Sequence, residues 1–209
     1  MRLQTAPGSK WRLPVISGKQ WVVAVRSMAD AVMAERVSLS ALDSMVGDGD
    51  HGISLSKALD EAARQTATLP DPSPELVLHT AGVAVQNSMG GASGILFGAL
   101  FIGMSRASAS GDIAAMLSGG LAEVQKRGKA ARGDKTMVDA LAPAVDAAKP
   151  GETLDQVAKA ALAGAESTKN MIAKCGRAKF LGERSLGFQD AGATSLTIMF
   201  AALAGAMKG

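Results

Sequence analysis

The sequence predicts an all-α protein, a bundle or closed barrel of helices, and three observations carry that expectation. Of the 209 residues 47% are apolar but only 3% are aromatic, so Ala, Leu, Val and 11 Met must fill the core, and such small or unbranched side chains favour helices over sheets. Apolar residues recur at three- and four-residue intervals in eight punctuated segments. The one strand-like run, Trp-Val-Val-Ala-Val at 21–25, has neighbours that fit a helix better. The length suits a single domain with a core large enough to need neither disulfide nor structural metal. Residues 19–209 are expected to form that domain and 1–18 a flexible basic arm.

Each segment has its own punctuation. Ser17 followed by Gln20 reads as a capping box, and Trp21, Val25, Met28 and Val32 then recur at i+3 or i+4 as helix one. A second helix covers about 51–66, and Pro70, Pro72 and Pro74 close the connection behind it. Ser73 with Pro74 suits an N-cap and first helical position for a third, reaching Met89. The fourth spans 91–105, the fifth 112–127 and the sixth 136–148, where Pro150-Gly151 ends it. Thr153 with Gln156 opens the seventh, which places Leu154, Val157, Ala161, Ala165 and Ile172 on one buried face. The eighth is 192–208.

Charge and composition remove several function classes. Without Arg2, Lys10, Arg12 and Lys19 the formal charge falls from +3 to −1, and the densest basic cluster, 126–132, has no aromatic neighbour, so no nucleic-acid footprint is present. No apolar run reaches the length of a membrane span, and Lys10, Arg12 and Pro14 interrupt any signal-like stretch. The lone Cys175 has no internal partner, which points to a reducing, cytoplasmic setting.

The chemistry concentrates in a few short stretches. Asp43, Asp48 and Asp50 fall within eight residues that contain no Lys or Arg, so they repel one another unless a cation sits between them. On a continuous helix Asp48 would point about 140° away from Asp43, so the three converge only if the chain turns near Gly47 and Gly49. Hard carboxylate oxygens with positions left for water and phosphate describe a Mg²⁺ site; a solvated acidic turn at a helix start is the plainer reading. The Gly47–Gly52 match to G-x-G-x-x-G is accidental, because acids interrupt it and a helix precedes it. At 128–136 Asp134 breaks what would otherwise be a P-loop. Glycine-rich turns opening helices near Gly90 and Gly133 still offer backbone N–H groups to an anion. Arg177 and Asp190-Ala191-Gly192 lie in a connection between helices seven and eight that is long for a mere linker.

Taken in order, Gly47-Asp-Gly-Asp-His-Gly52, Gly90-Gly-Ala-Ser-Gly94, Gly133-Asp-Lys-Thr-Met137, Gly182-Glu-Arg-Ser185 and Gln189-Asp-Ala-Gly-Ala-Thr-Ser195 resemble the nucleotide-binding L subunit of dihydroxyacetone kinase, from about 42 to 199. The resemblance implies an eight-helix antiparallel barrel with ADP or ATP and two Mg²⁺ at one end. By motif position Asp43, Asp48 and Asp50 match the metal ligands. His51, Gly52, Ile53, Ser54, Ala92, Ser93, Gly128, Met137, Arg177, Asp190, Ala191 and Gly192 match the nucleotide contacts. Ala191 stands where the family commonly has Pro. Arg177 is implied as the catalytic residue, acting on the transferring phosphoryl group.

The implied partners are a K-type subunit that binds dihydroxyacetone and a phosphotransferase-system subunit that recharges ADP, with a homodimer of this chain also open. In a second branch ATP exchanges freely, and the ketose can be another such as erythrulose. A non-catalytic nucleotide- or lipid-binding helical module is the competing class; the three-aspartate loop favours the kinase, since a lipid carrier does not need it.

Overall fold

A computed structural model describes Leu13 and residues 15–208. The described residues form nine α-helices: α1 (Gly18–Ala34), α2 (Arg36–Ser44), α3 (His51–Ala67), α4 (Pro74–Ser88), α5 (Gly91–Arg106), α6 (Ile113–Gly128), α7 (Val138–Ala147), α8 (Leu154–Ser167) and α9 (Ala191–Ala206). Short 3-10 turns at Ser108–Ser110, Thr168–Asn170 and Ala178–Ser185 complete the chain, and no strand occurs among the described residues.

Eight of the helices close a ring. In the order α1, α3, α4, α5, α6, α7, α8, α9 each packs on the next, and α9 returns to α1. Every second connection, α2–α3, α4–α5, α6–α7 and α8–α9, meets at one end of the ring, as antiparallel neighbours require. Each ring helix sends side chains into one continuous core, among them Trp21, Leu55, Leu78, Phe101, Met116, Leu141, Val157 and Phe200. Among the described residues no helix is long and apolar enough to cross a membrane.

The caps follow the sequence. Ser17 with Gln20 and Thr153 with Gln156 form complete capping boxes, and Ser73 accepts from Leu76 N–H with Pro74 at the first helical position.

Two expectations are corrected. The sequence reads as one helix ahead of the acidic loop, but two helices stand there and the first ends early. It ends at Glu35, whose backbone (φ −98°, ψ 9°) leaves helical geometry, and α2 starts anew outside the ring with only Leu39 fully buried. Only one apolar anchor remains after Val32, too few to keep a long helix against the core. The seventh helix stops at Ser167, so Ile172 leaves its face and is 42% exposed. Thr168 Oγ1 donates to Ala165 O there, and the chain turns extended at Met171.

Of the expected arm, residues 1–12 and 14 lie outside the described residues, while Leu13 and Ile16 are buried and Gly18 opens α1.

Candidate nucleotide and metal site

The four connections gathered at one end line a cleft of about 800 Å³, within the range of small-ligand sites. Asp43 sits in the last turn of α2, and Gly49, with φ +78°, folds the chain back over it. Asp43 Oδ2 then accepts from Gly49 N–H at 2.8 Å and His51 N–H at 3.3 Å, which fixes both the turn and the start of α3. One carboxylate oxygen each of Asp43, Asp48 and Asp50 lies within 4.8 Å of the others. Their convergence depends on α2 ending where it does, because on an unbroken helix Asp48 would diverge. Two of the three are exposed, so the set fits a Mg²⁺ that keeps water and phosphate ligands. The Arg177 guanidinium, from the α8–α9 loop, contacts Asp48 and supplies positive charge to this cluster.

His51 is buried behind the acidic loop. Its Nε2 pairs with Ser195 Oγ at 2.8 Å, and Ser195 Oγ donates to Ala191 O at 2.9 Å, so the imidazole is the donor to Ser195. Burial lowers the imidazole pKa below its ordinary value, with Asp43 opposing, so His51 is a neutral link between α3 and α9.

Three helix starts face the cleft. Gly90, in extended conformation with no side-chain cap, leaves the first-turn amides of α5 at Gly91, Ala92 and Ser93 without a capping acceptor. Asp190 caps α9 by accepting from Ala193 N–H at 2.7 Å. Burial pushes its carboxyl up to about 6, against the pull of that N–H and of Lys135. Before α7, Asp139 Oδ1 accepts from Gly133 N–H at 2.5 Å and Oδ2 from Thr136 N–H at 2.8 Å. These two bonds curl the 133–136 turn.

Of the residues expected at the site, Asp43, Asp48, Asp50, His51, Ser54, Ala92, Ser93, Gly128, Met137, Arg177, Asp190, Ala191 and Gly192 all line the cleft. Gly52 and Ile53 do not line it. Gly52 is buried against α2, where a Cβ would lie 2.0 Å from Arg36 O, and Ile53 is 48% exposed. Asp139, Lys135, Thr168 and Ser195 were missed. Asp139, three residues after Thr136, offered a local signal for a side chain closing its own turn. Nothing local marks Thr168 or Ser195, whose partners are 22 and 144 residues away.

The DAK2 domain family model matches residues 45–205. The "PEP-dependent dihydroxyacetone kinase 1, ADP-binding subunit DhaL" of Listeria innocua is 38% identical over 196 residues, 88% of this chain and 95% of that one. The corresponding Escherichia coli subunit is 35% identical over 193 residues, 86% and 92% of the two chains. Among solved structures, the dihydroxyacetone kinase of C. freundii in complex with AMP-PNP and Mg²⁺ superposes with a TM-score of 0.73 at 27% identity. That match covers 98% of this chain and only 37% of the longer kinase chain. Motif order, ring of helices and the clustered aspartates agree with these likenesses, and the chain belongs to the DAK2-domain family of L-type dihydroxyacetone kinase subunits.

Proposed function

We propose that this chain is the nucleotide-holding, phosphoryl-transferring subunit of a dihydroxyacetone kinase, working in the cytoplasm with a separate K-type subunit that holds the ketose. The observation that carries this reading is that three converging carboxylates and the uncapped start of α5 line one cleft. That is a divided site for Mg²⁺ and polyphosphate.

Asp43, Asp48 and Asp50 would hold Mg²⁺, which when bound would supply positive charge to neutralise the phosphates. The amides of Gly91, Ala92 and Ser93 hold phosphate from the α5 side, and those of Ala191 and Gly192 from the α9 side. The cleft wall at Leu96, Phe97, Val124, Met137 and Val138 is apolar and suits the flat face of a nucleobase. Arg177, at the mouth, stabilises charge on the phosphoryl group in flight. These groups position and neutralise charge, so the transfer requires no nucleophile from this chain. A phosphotransferase-system subunit as phosphoryl donor is the companion proposal, with ADP staying bound between turnovers.

The test is reconstitution. Dihydroxyacetone phosphate is expected only when a K-type subunit is added to the purified chain. Robust phosphorylation of dihydroxyacetone by the chain with ATP alone would contradict the division of labour. With both subunits present, turnover from a phosphotransferase donor and not from free ATP supports the ADP-retaining branch, and the converse supports exchange.

A further inference from the structure

A buried side chain crosses the neck of the α8–α9 connection. Lys135 is 2% exposed, and its Nζ donates to Thr168 O and to Phe188 O, each at 2.6 Å. Those carbonyls stand at the two ends of the segment 168–188, which carries Cys175, Arg177 and Phe180. The same neck is also bridged by a backbone bond from Gly187 N–H to Lys169 O at 2.8 Å, just inside these ends, and by Asp190 N–H donating to Thr168 Oγ1 at 2.9 Å. The excursion between these ends is tied down on its α8 side, where Lys174 N–H donates to Asp134 O at 3.1 Å and Ala173 N–H to Ser185 Oγ at 3.0 Å, and is looser from Gly176 on. It is made of turns through Gly176 and Gly182, with Phe180 78% exposed. Lys135 reaches the neck from a left-handed backbone position, φ +59°, which is costly for a lysine and is held by the Asp139 carboxylate on the flanking amides.

We propose that Lys135 is a positioning residue for phosphoryl transfer: its ammonium clasps the neck of the loop that carries Arg177 and thereby sets where that guanidinium stands over the cleft. The chemistry suits the task. A short, flexible cation with three donors can satisfy two carbonyls of different strands of chain at once, whereas backbone carbonyls cannot pair with each other. Burial lowers the ammonium pKa, while the nearby carboxylates of Asp190 and Asp139 favour its charged form. Loss of the clasp frees the loop and leaves the ring of helices standing, because its bonds are to Phe188 O and to the carbonyl of Thr168, the α8 C-cap, and to no helix interior.

The inference rests on the kinase reading only in its second test. In the isolated chain, Lys135→Met is expected to speed amide hydrogen exchange across 169–187 by about 10-fold or more, with α1 and α4 unchanged. Unchanged exchange in that segment of a folded variant overturns the clasp, whatever reaction the protein performs. In the reconstituted kinase, Lys135→Met is expected to lower kcat by about 10-fold with a smaller effect on nucleotide KM, to be partly rescued by Lys135→Arg, and to cause little further loss on an Arg177→Ala background. An equal loss in both backgrounds means that Lys135 does not act through Arg177 and overturns the positioning role. Should Lys135→Met not fold, Lys135→Gln, which keeps a polar side chain but not a cation with three donors, is read in the same way. Global unfolding of both variants also overturns the proposal, since a clasp on one loop leaves the helices standing.

Discussion

Arg177 of the α8–α9 loop reaches the Asp48 carboxylate of the α2–α3 loop, joining across the mouth of the cleft two positions 129 residues apart. Both side chains are substantially exposed, at 69% and 44%, so the pair contributes little to stability, about 0–1 kcal/mol as for surface ion pairs generally. Its consequence is electrostatic. One cation partly neutralises three close carboxylates, and the same cation faces the space where phosphate charge would lie.

Arg177→Ala is therefore expected to leave the melting temperature nearly unchanged and to lower kcat of the reconstituted kinase by on the order of 10²-fold or more. Nucleotide affinity should fall less. Arg177→Lys keeps charge without the planar fork and should rescue only in part. Steady-state kinetics beside direct binding measurements separate the roles: affinity falling as far as kcat/KM with kcat intact would make Arg177 a uniform binding residue.

The three aspartates are not equivalent. Asp48→Ala and Asp50→Ala should abolish Mg²⁺-dependent nucleotide binding while helical content survives, because neither exposed carboxylate accepts a backbone bond in the turn. Asp43→Ala should do the same and also destabilise the fold by about 1–3 kcal/mol, since Gly49 N–H and His51 N–H lose their acceptor. Calorimetric titration of ADP with and without Mg²⁺, beside denaturant unfolding, checks both halves. Unchanged affinity in the Asp48 and Asp50 variants would sink the metal assignment.

Asp190 gives the unliganded chain a pH signature. Its carboxyl is held at about 6 in the fold, above the ordinary 3.8, so the folded state binds the extra proton between these values. Stability contributed by this group is thus full below about pH 4 and is lost as pH rises through 6. Asp190→Asn, which keeps an N-cap acceptor for Ala193 N–H, should gain stability relative to the parent as pH rises from 4 to 7. Melting curves across that range test it; a constant difference would show that burial does not govern this carboxyl.

Gly52→Ala tests packing behind the site. A Cβ at Gly52 would lie 2.0 Å from Arg36 O and 2.8 Å from Ser40 N, both backbone atoms of α2 that cannot swing aside. The variant should lose about 1–3 kcal/mol, as overpacked sites generally do, and should weaken Mg²⁺-dependent binding by shifting α2 and with it Asp43. Wild-type stability in Gly52→Ala would mean that α2 is free to move away from α3.

The sequence by itself determined the helical class, the eight ring helices and the three principal caps, and thirteen of the fifteen site residues implied by its family resemblance line the cleft. These are legible because they depend on local spacing: apolar repeats every three or four residues, a Ser or Thr three residues before Gln, and glycine-rich turns in a recognisable order. The break at Glu35 was not legible, because periodicity fades there without a glycine or proline to mark the end. Tertiary structure alone decided that α2 leaves the ring and turns Asp43 towards Asp48 and Asp50, that Gly52 serves α2 packing, and that Ile172 leaves the α8 face. It also decided the pairs His51–Ser195 and Arg177–Asp48, and the reach of Lys135 to Thr168 and Phe188. The physical reason is common to all of them. Closing the ring brings four distant connections to one end, and a buried polar group takes whichever partner that closure delivers, at a sequence separation no local pattern encodes.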